Sequence, residues 1–151
     1  MNIYIDNRQE KFDISEEINK HVKTAIIESL KVEGLKDNYE VSVSYVDNYE
    51  IKKLNREYRG IDRETDVLSF PFNEVVDIPV LILGDIIISV EKAYEQSIDY
   101  GHSLDREIVY LTVHSMFHLM GYDHLKDEEK EIMRNKEKRV MKNLKVFKSS
   151  S

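Results

Sequence analysis

Residues 104–124 read LDREIVYLTVHSMFHLMGYDH, and this stretch predicts a buried helix that carries histidines. Ser103 can cap a helix that runs from Leu104 to Met120. This helix is apolar on nearly all sides, which is typical of a helix buried inside a domain. His114 and His118 are four residues apart and therefore lie on the same face of it. Buried imidazoles are costly unless their nitrogens are bonded, and a metal ion would bond them.

A third histidine completes a pattern that is typical of zinc ligands. Gly121 can turn the chain back after the helix, and His124 follows three residues later. The spacing H-x-x-x-H-x-x-G-x-x-H is that of the metzincin ligands, but Ser115 stands where those proteases carry their glutamate base. Three imidazoles leave a fourth position open for water. We therefore predict one Zn²⁺ per chain, bound by His114, His118 and His124, at a site that activates water but is not built for peptide hydrolysis.

The composition limits the class of protein. A chain of 151 residues, 41% hydrophobic and 34% charged, fits one soluble globular domain with a core of its own. No apolar run approaches the ~20 residues that a membrane helix needs, and the first residues lack the pattern of a signal peptide. The absence of cysteine excludes disulfides and thiolate ligands. These features favour a cytoplasmic protein without a membrane partner.

The charge of the chain is unevenly distributed. The net charge of −7 argues against nucleic acid as a partner. Residues 130–148, however, contain eight basic residues and two acidic ones, Glu131 and Glu137. Two interpretations of this segment remain open, a solvated helix face and a surface that binds phosphate.

The hydrophobic periodicity predicts an α+β fold. We predict strands over residues 2–6, 40–46, 66–70 and 80–89, and helices that are capped by Ser15, Asn48, Ser89, Ser103 and Asp127. The first, second, third and last of these helices extend to about residues 32, 58, 100 and 146.

Together these elements predict a single domain over residues 1–148, with a Ser tail at 149–151. About five helices would pack on a mixed sheet of about four strands, and the helix with the histidines would be a zincin-like central metal-binding helix. Ile51, Leu54 and Tyr58 are predicted to be buried, and Pro71 is predicted to stop the third strand.

Three more residues have alternative interpretations. Asp123 precedes the third histidine, where it either bonds its own backbone in a turn or fixes the tautomer of an imidazole. Asp85 interrupts an apolar strand beside Gly84, so it either points to water at a bulge or lines the cleft, and the cost of burying a charge favours the cleft. Arg59 ends a helix, where a cation suits the dipole, but a guanidinium also forks onto two phosphate oxygens.

Four motifs spread over most of the chain occur in a distinctive order. They are LNREYRG at 54–60, TDVLSFPF at 65–72, LGDIIIS at 83–89 and HSMFHLMGYDH at 114–124, followed by Met133 and Glu137. With them the chain resembles the YbeY endoribonucleases, bacterial proteins of ribosomal RNA maturation. It departs from that family at Ser115 and Phe117, where Gly and Leu are usual, and this concerns the packing of the helix more than its ligands.

The resemblance implies a function and assigns roles to residues. It implies a zinc-dependent endoribonuclease, specific for single strands, that acts in 3′-end maturation of small-subunit (16S) ribosomal RNA and in ribosome quality control. The partners would be 16S precursor RNA and the ribosome, with ribosomal or assembly proteins as further candidates. Arg59 and His114 would be catalytic, and Asp85, Asp123 and Ser115 would lie at or near the cleft.

Two other functions are compatible with the same residues. The first is a binding protein of ribosome assembly with a structural zinc, which a closed site with four ligands would favour. The second is another metal-dependent hydrolase, such as a peptidase, which the missing glutamate disfavours.

Overall fold

A computed structural model describes residues 1–36, 38–72, 81–123 and 126–145 of the chain. Within them, four strands and five helices follow one another. Their bounds are β1 (Asn2–Asn7), α1 (Glu16–Val32), β2 (Tyr39–Val46), α2 (Asn48–Arg59), β3 (Val67–Pro71), β4 (Leu81–Ser89), α3 (Val90–Tyr100), α4 (Leu104–Leu119) and α5 (Asp127–Asn143). The prediction of a single α+β domain with about four strands and five helices is confirmed.

The strands form one mixed sheet in the order β1–β2–β4–β3. β1, β2 and β4 are parallel, whereas β3 is antiparallel to β4 and occupies an edge. Parallel neighbours need a crossover, and α1 supplies it between β1 and β2. The prediction of a mixed sheet is therefore confirmed.

Two cores of unequal size cover the two faces of the sheet. In β4, Ile86 and Ile88 belong to the larger core, which includes residues of α1, α3, α4 and α5, whereas Ile87 joins the smaller core with Ile51 of α2. Successive strand residues point to opposite faces, so α2 lies on one face and α4 on the other.

Helix α4 occupies the centre of the larger core. It packs against α1, α3, α5, β3 and β4, and the prediction that it is buried is confirmed. The zincin-like character of this helix depends on a metal and stays a prediction. No helix in the described part of the chain is both long and apolar enough to cross a membrane.

Three of the five predicted caps are confirmed. The hydroxyls of Ser15, Ser89 and Ser103 each accept a hydrogen bond from the backbone N–H three residues later. The prediction for Asn48 is wrong, because Asp47 caps α2 by accepting from Glu50 N at 2.9 Å. Asn48 is already helical, and its side chain accepts from the Ser89 hydroxyl at 2.7 Å.

The ends of the other elements also correct the predictions. Asp127 does not cap α5, because it is the first helical residue and the N-cap position is Lys126, without a side-chain hydrogen bond. The helix ends at Asn143, so the predicted end at 146 is too late. Residues 146–151, with the predicted Ser tail, lie outside the described residues, and the domain boundary at 148 stays a prediction.

The predicted burial of Tyr58 is wrong, and the predicted end of β3 is one residue too early. Tyr58 is 67% exposed, because it lies beyond the part of α2 that the small core covers. Its ring instead meets the edge of Phe70, with centroids 5.4 Å apart. β3 ends at Pro71 instead of Phe70. An edge strand tolerates proline as its last residue, because no ladder donor is needed there.

Gly84 marks an irregularity in the sheet. The pairing of β2 with β4 shifts between Glu40 and Val41, which leaves Leu83 as the extra residue of a bulge. Gly84 has φ +148°, and a Cβ at this position would lie 2.3 Å from the carbonyl oxygen of Phe70 and 2.9 Å from a methyl of Leu119. A glycine is therefore required where β3, β4 and α4 meet.

We expect Gly84→Ala to destabilise the fold more than a substitution at a glycine with open surroundings. Gly101 also has positive φ, but nothing lies within 4 Å of its hypothetical Cβ. Gly101→Ala should cost about 1–2 kcal/mol from backbone strain alone, and Gly84→Ala should cost about 1–3 kcal/mol more because the added methyl meets backbone. Urea unfolding measures both, and equal destabilisation by the two changes would contradict the close approach at Gly84.

Candidate functional site

Two imidazoles meet on one face of α4, in its last two turns. Nε2 of His114 lies 3.2 Å from Nε2 of His118. The two rings are nearly perpendicular, at 84°, with centroids 4.7 Å apart. The four-residue spacing therefore brings two ring nitrogens of the same kind to one point, as predicted from the sequence.

The opposite nitrogen of each ring is hydrogen-bonded. Nδ1 of His118 lies 2.9 Å from the carbonyl oxygen of Tyr122, which can only accept, so this Nδ1 carries a proton. Nδ1 of His114 lies 2.6 Å from Oε2 of Glu137. A carboxylate can only accept, so Nδ1 of His114 is likewise the donor. The other oxygen of Glu137 accepts from the Tyr110 hydroxyl at 3.1 Å.

The tautomers that follow from these bonds suit a metal ion. A neutral imidazole that donates from Nδ1 has a lone pair at Nε2, so the two Nε2 atoms would present lone pairs to each other. A metal ion between them, or a proton on one Nε2, would relieve the repulsion between the two lone pairs. Two nitrogens bound to one tetrahedral zinc at about 2.0–2.1 Å are roughly 3.3 Å apart, and the observed 3.2 Å fits that spacing.

The third predicted ligand, His124, lies outside the described residues. Gly121, which we expected to turn the chain, has φ +104°. The next residue, Tyr122, donates its backbone N–H to Phe117 O at 3.0 Å, so the chain does fold back after α4. Among the residues whose placement is described, no three His, Asp or Glu side chains group as a metal site. The assignment of His124 stays a prediction.

Glu137 contacts the imidazole pair, although the sequence analysis named it only as part of the family pattern and gave it no role. It was counted as one of two acids in a basic segment, but its side chain is only 5% exposed and orients His114. A signal was present in the sequence. Met133, Glu137 and Val140 share the spacing of one helix face, and all three are buried. An acid inside an apolar stripe predicts a buried partner.

Tyr110 completes the support of His114. Burial, and then the nearby Glu137 carboxylate, raises the pKa of its hydroxyl, so Tyr110 remains a proton donor at any physiological pH. Its ring lies 6.2 Å from that of His114 at an angle of 25°. Glu137 thus ties two residues of α4, one turn apart, to α5.

A second network holds the loop that bonds His118. The Tyr122 hydroxyl donates to Glu33 at 3.0 Å, and Lys136 of α5 forms an ion pair with the same carboxylate. The Lys136 ammonium also lies 5.3 Å from the centre of the Tyr122 ring. Because the carbonyl of Tyr122 orients His118, Glu33 at the end of α1 positions this imidazole indirectly.

Ser115 and Asp123 have different surroundings from the imidazole pair. Ser115 is fully buried, and its hydroxyl shares a hydrogen bond with that of Ser69 on β3. It therefore links α4 to the sheet. Asp123 is exposed, and its carboxylate raises the pKa of Glu129, chiefly by a hydrogen bond between the two side chains. The role of Asp123 toward a histidine stays a prediction.

Asp85 and Arg59 lie on the other face of the sheet. Asp85 is exposed, pairs with Phe70 of the small core, and follows the bulge that we considered as an alternative. Partial burial still raises the pKa of its carboxyl. Arg59 is exposed at the end of α2, and its guanidinium donates to Asn55 at 3.4 Å.

The described contacts do not bring Asp85 or Arg59 to the imidazoles. α4 and α2 cover opposite faces, and β3 is the edge strand between them. The roles of Arg59 and Asp85 in a cleft stay predictions.

Known proteins resemble this chain over almost its whole length. Residues 4–145 match the family model described as Endoribonuclease YbeY. Endoribonuclease YbeY of Clostridioides difficile strain 630 is 53% identical over 150 residues, covering 97% of this chain and 98% of that protein. Endoribonuclease YbeY of Thermoanaerobacter sp. strain X514 is 54% identical over 161 aligned positions, with 97% and 99% covered.

A solved structure shares the fold. The solution structure of TM1509 from Thermotoga maritima aligns with a TM-score of 0.64 at 28% sequence identity. The alignment covers 94% of this chain and 88% of that protein. The arrangement of helices on a mixed sheet is therefore common to both proteins.

We expect Glu137→Ala to destabilise the metal-free protein by about 2 kcal/mol or more. The change leaves the Tyr110 hydroxyl and His114 Nδ1 without their acceptor, and each unsatisfied donor costs about 1–3 kcal/mol. Glu131→Ala is the matched control, because Glu131 is exposed on the same helix and such changes stay within about 0.5 kcal/mol. Denaturant midpoints in a chelating buffer compare the two, and a small effect at Glu137 would mean that its hydrogen bonds are weak.

Proposed function

The chain belongs to the endoribonuclease YbeY family, and we propose that it cleaves single-stranded RNA with the help of one zinc ion held by His114, His118 and His124. The observation that carries this proposal is the pair of Nε2 atoms 3.2 Å apart, each on a ring whose Nδ1 is hydrogen-bonded. Oriented imidazoles are a more specific argument for metal-dependent hydrolysis than the shared fold, because one fold can serve many functions.

The residues around the proposed zinc ion would have different roles. A bound zinc ion would supply Lewis acidity, which makes water a nucleophile near neutral pH. Glu137 and the Tyr122 carbonyl keep both imidazoles in the tautomer that can bind a metal. Glu137 accepts from His114 through one oxygen and from Tyr110 through the other, so its proposed role is to position His114.

Arg59 would act on the phosphate. A guanidinium binds two phosphate oxygens at once and offsets the charge that grows on them during cleavage. Its described hydrogen bond to Asn55 is long, at 3.4 Å, so a phosphate could replace this acceptor at small cost. This role requires the RNA to contact both α2 and α4, which pack on opposite faces of the sheet.

The proposed substrate is the unprocessed 3′ end of 16S ribosomal RNA, and the proposed setting is ribosome maturation and quality control in the cytoplasm. The support is the resemblance of four motifs to proteins of that function, together with the endoribonuclease names of relatives that align over nearly their full length. Contacts with ribosomal or assembly proteins belong to the same proposal.

We expect His118→Ala to lose both bound zinc and RNA cleavage. One ligand fewer should lower metal affinity by orders of magnitude, since three imidazoles share the ion. His102→Ala is the control, because His102 is outside the motif and should keep about one zinc per chain and full cleavage. Elemental analysis and cleavage of a single-stranded RNA with the 16S 3′ end measure the two properties, with the same RNA in a duplex as the resistant substrate.

Removal of the metal by a chelator separates the proposal from a structural zinc. If chelation unfolds the protein while the intact protein fails to cut RNA, the site is structural and the chain is a binding protein. If chelation stops cleavage and circular dichroism stays unchanged, the ion serves the reaction.

We expect Arg59→Lys to lower the rate of RNA cleavage by tenfold or more while zinc content and stability stay unchanged. A lysine keeps the charge but cannot fork onto two phosphate oxygens. Arg56→Lys is the matched control, because Arg56 is exposed in the last turn of the same helix. Equal cleavage rates in the two variants would mean that Arg59 only stabilises the C-terminal end of α2 and does not act on the phosphate.

A further inference from the structure

A pocket of about 320 Å³ lies between α4 and α5, beside the imidazole pair. It is lined by Tyr110, His114, Lys130, Met133, Arg134 and Glu137. Because His114 forms part of its wall, whatever binds in the pocket lies against one of the two imidazoles. Its volume is at the lower end of the range for ligand pockets, about 300–1,000 Å³.

The pocket is cationic although the whole chain carries a net charge of −7. Lys130 and Arg134 are exposed and lie one helical turn apart on α5. Neither forms an ion pair within the part of the chain that the structure describes. Glu137, the acid in the lining, is already bonded to Tyr110 and His114. Two cations are thus available to an anionic ligand.

An aromatic ring forms another wall of the pocket. Tyr110 is 36% exposed, although its hydroxyl is tied to Glu137 at 3.1 Å. The hydrogen bond holds the ring in place, so a ligand that stacks on it loses little side-chain entropy. Nucleic-acid bases stack on such rings whatever their sequence, which suits an enzyme of single strands.

We propose that this pocket binds one nucleotide of the RNA strand, with Lys130 and Arg134 on its phosphate and the ring of Tyr110 against its base. The inference deepens the proposed function, because it takes RNA as the substrate class and adds a subsite next to His114. A free phosphate or an anionic lipid would use the two cations but not the ring.

Further cations lie beyond the pocket on the same helix, α5. Lys138 and Lys142 continue the four-residue spacing of Lys130 and Arg134, and both are exposed. Residues spaced by four follow one side of a helix, so these cations form a stripe along α5. Lys136 is engaged with Glu33 and does not belong to this stripe. A strand held in the pocket can therefore continue along α5.

The first test compares two double variants with the same change of charge. Lys130→Gln with Arg134→Gln should weaken binding of a short single-stranded RNA about tenfold at low salt. The slope of log affinity against log salt should become shallower by about one for each phosphate that the variant no longer neutralises. Lys20→Gln with Lys23→Gln on α1, where both side chains are exposed, should bind as the original protein does.

Binding is measured by fluorescence anisotropy on the full chain with its metal, in the cold, and the RNA is checked for integrity afterwards. Zinc content should be the same in all variants, because the substituted residues are not ligands. If the pocket variant and the α1 variant have equal affinities and equal salt slopes, the subsite does not exist.

The second test isolates the ring. Tyr110→Phe keeps the aromatic face and removes the hydroxyl, so we expect RNA affinity close to that of the original protein. Tyr110→Leu removes the face and should weaken binding about tenfold, since a stacked base contributes on this scale. Equally weakened binding in the two variants would assign the effect to the bond with Glu137 and overturn stacking. Equal affinity of the Leu variant and the original protein would also overturn it.

These measurements separate the subsite from the proposed function. A protein that binds RNA through the pocket but never cuts it would keep the subsite and refute the nuclease. A protein that cuts RNA with unchanged affinity in both the double variant and Tyr110→Leu would keep the nuclease and refute the subsite. Inorganic phosphate that competes as well as adenosine monophosphate would exclude a contribution from the base.

Discussion

The Glu137 carboxylate connects the two helices on which the candidate site is built. It accepts from Tyr110 and His114, so α5 orients residues in two successive turns of α4. Burying a carboxylate carries a desolvation cost that its hydrogen bonds must offset, and here both oxygens have a donor. The direction of the His114 ring and one wall of the nearby pocket both depend on this one side chain. Glu137 therefore contributes to the geometry of the candidate site more than to the packing of the core.

The architecture was predictable because its signals are local. Apolar periodicity predicted each strand and helix. Serine is a favoured N-cap residue, and Ser15, Ser89 and Ser103 are N-caps in the structure. The failure at Asn48 has a simple origin. Asp47 and Asn48 are both good caps, and the choice depended on whether Asn48 had another partner, which Ser89 supplies across the fold. A contact between residues far apart in sequence cannot be read from local pattern.

The candidate site was predictable only as far as its spacing. The pair of imidazoles follows from a four-residue interval on one helix, which sequence displays directly. Glu137 and Tyr122 reach these rings from other elements, so their roles depend on how α4 packs against α5 and on the turn after α4. The prediction that Tyr58 is buried failed for a related reason. Helical spacing predicted burial, but the small core ends before this residue. Sequence predicts a face of a helix, whereas packing decides how much of it is covered.

The central place of α4 also bears on the order in which parts of the protein open. A helix that packs against three helices and two strands has few ways to exchange its amide protons other than by unfolding of the whole domain. Most of α4 should therefore belong to the slowest-exchanging part of the chain, whereas its last turn, which includes His118, can open locally as other helix ends do. His114 should inherit its rigidity from the folding cooperativity of the domain, whereas the orientation of His118 also depends on the Tyr122 carbonyl in the turn after α4. A metal ion bound by the pair would therefore enter and leave through motion on the side of His118.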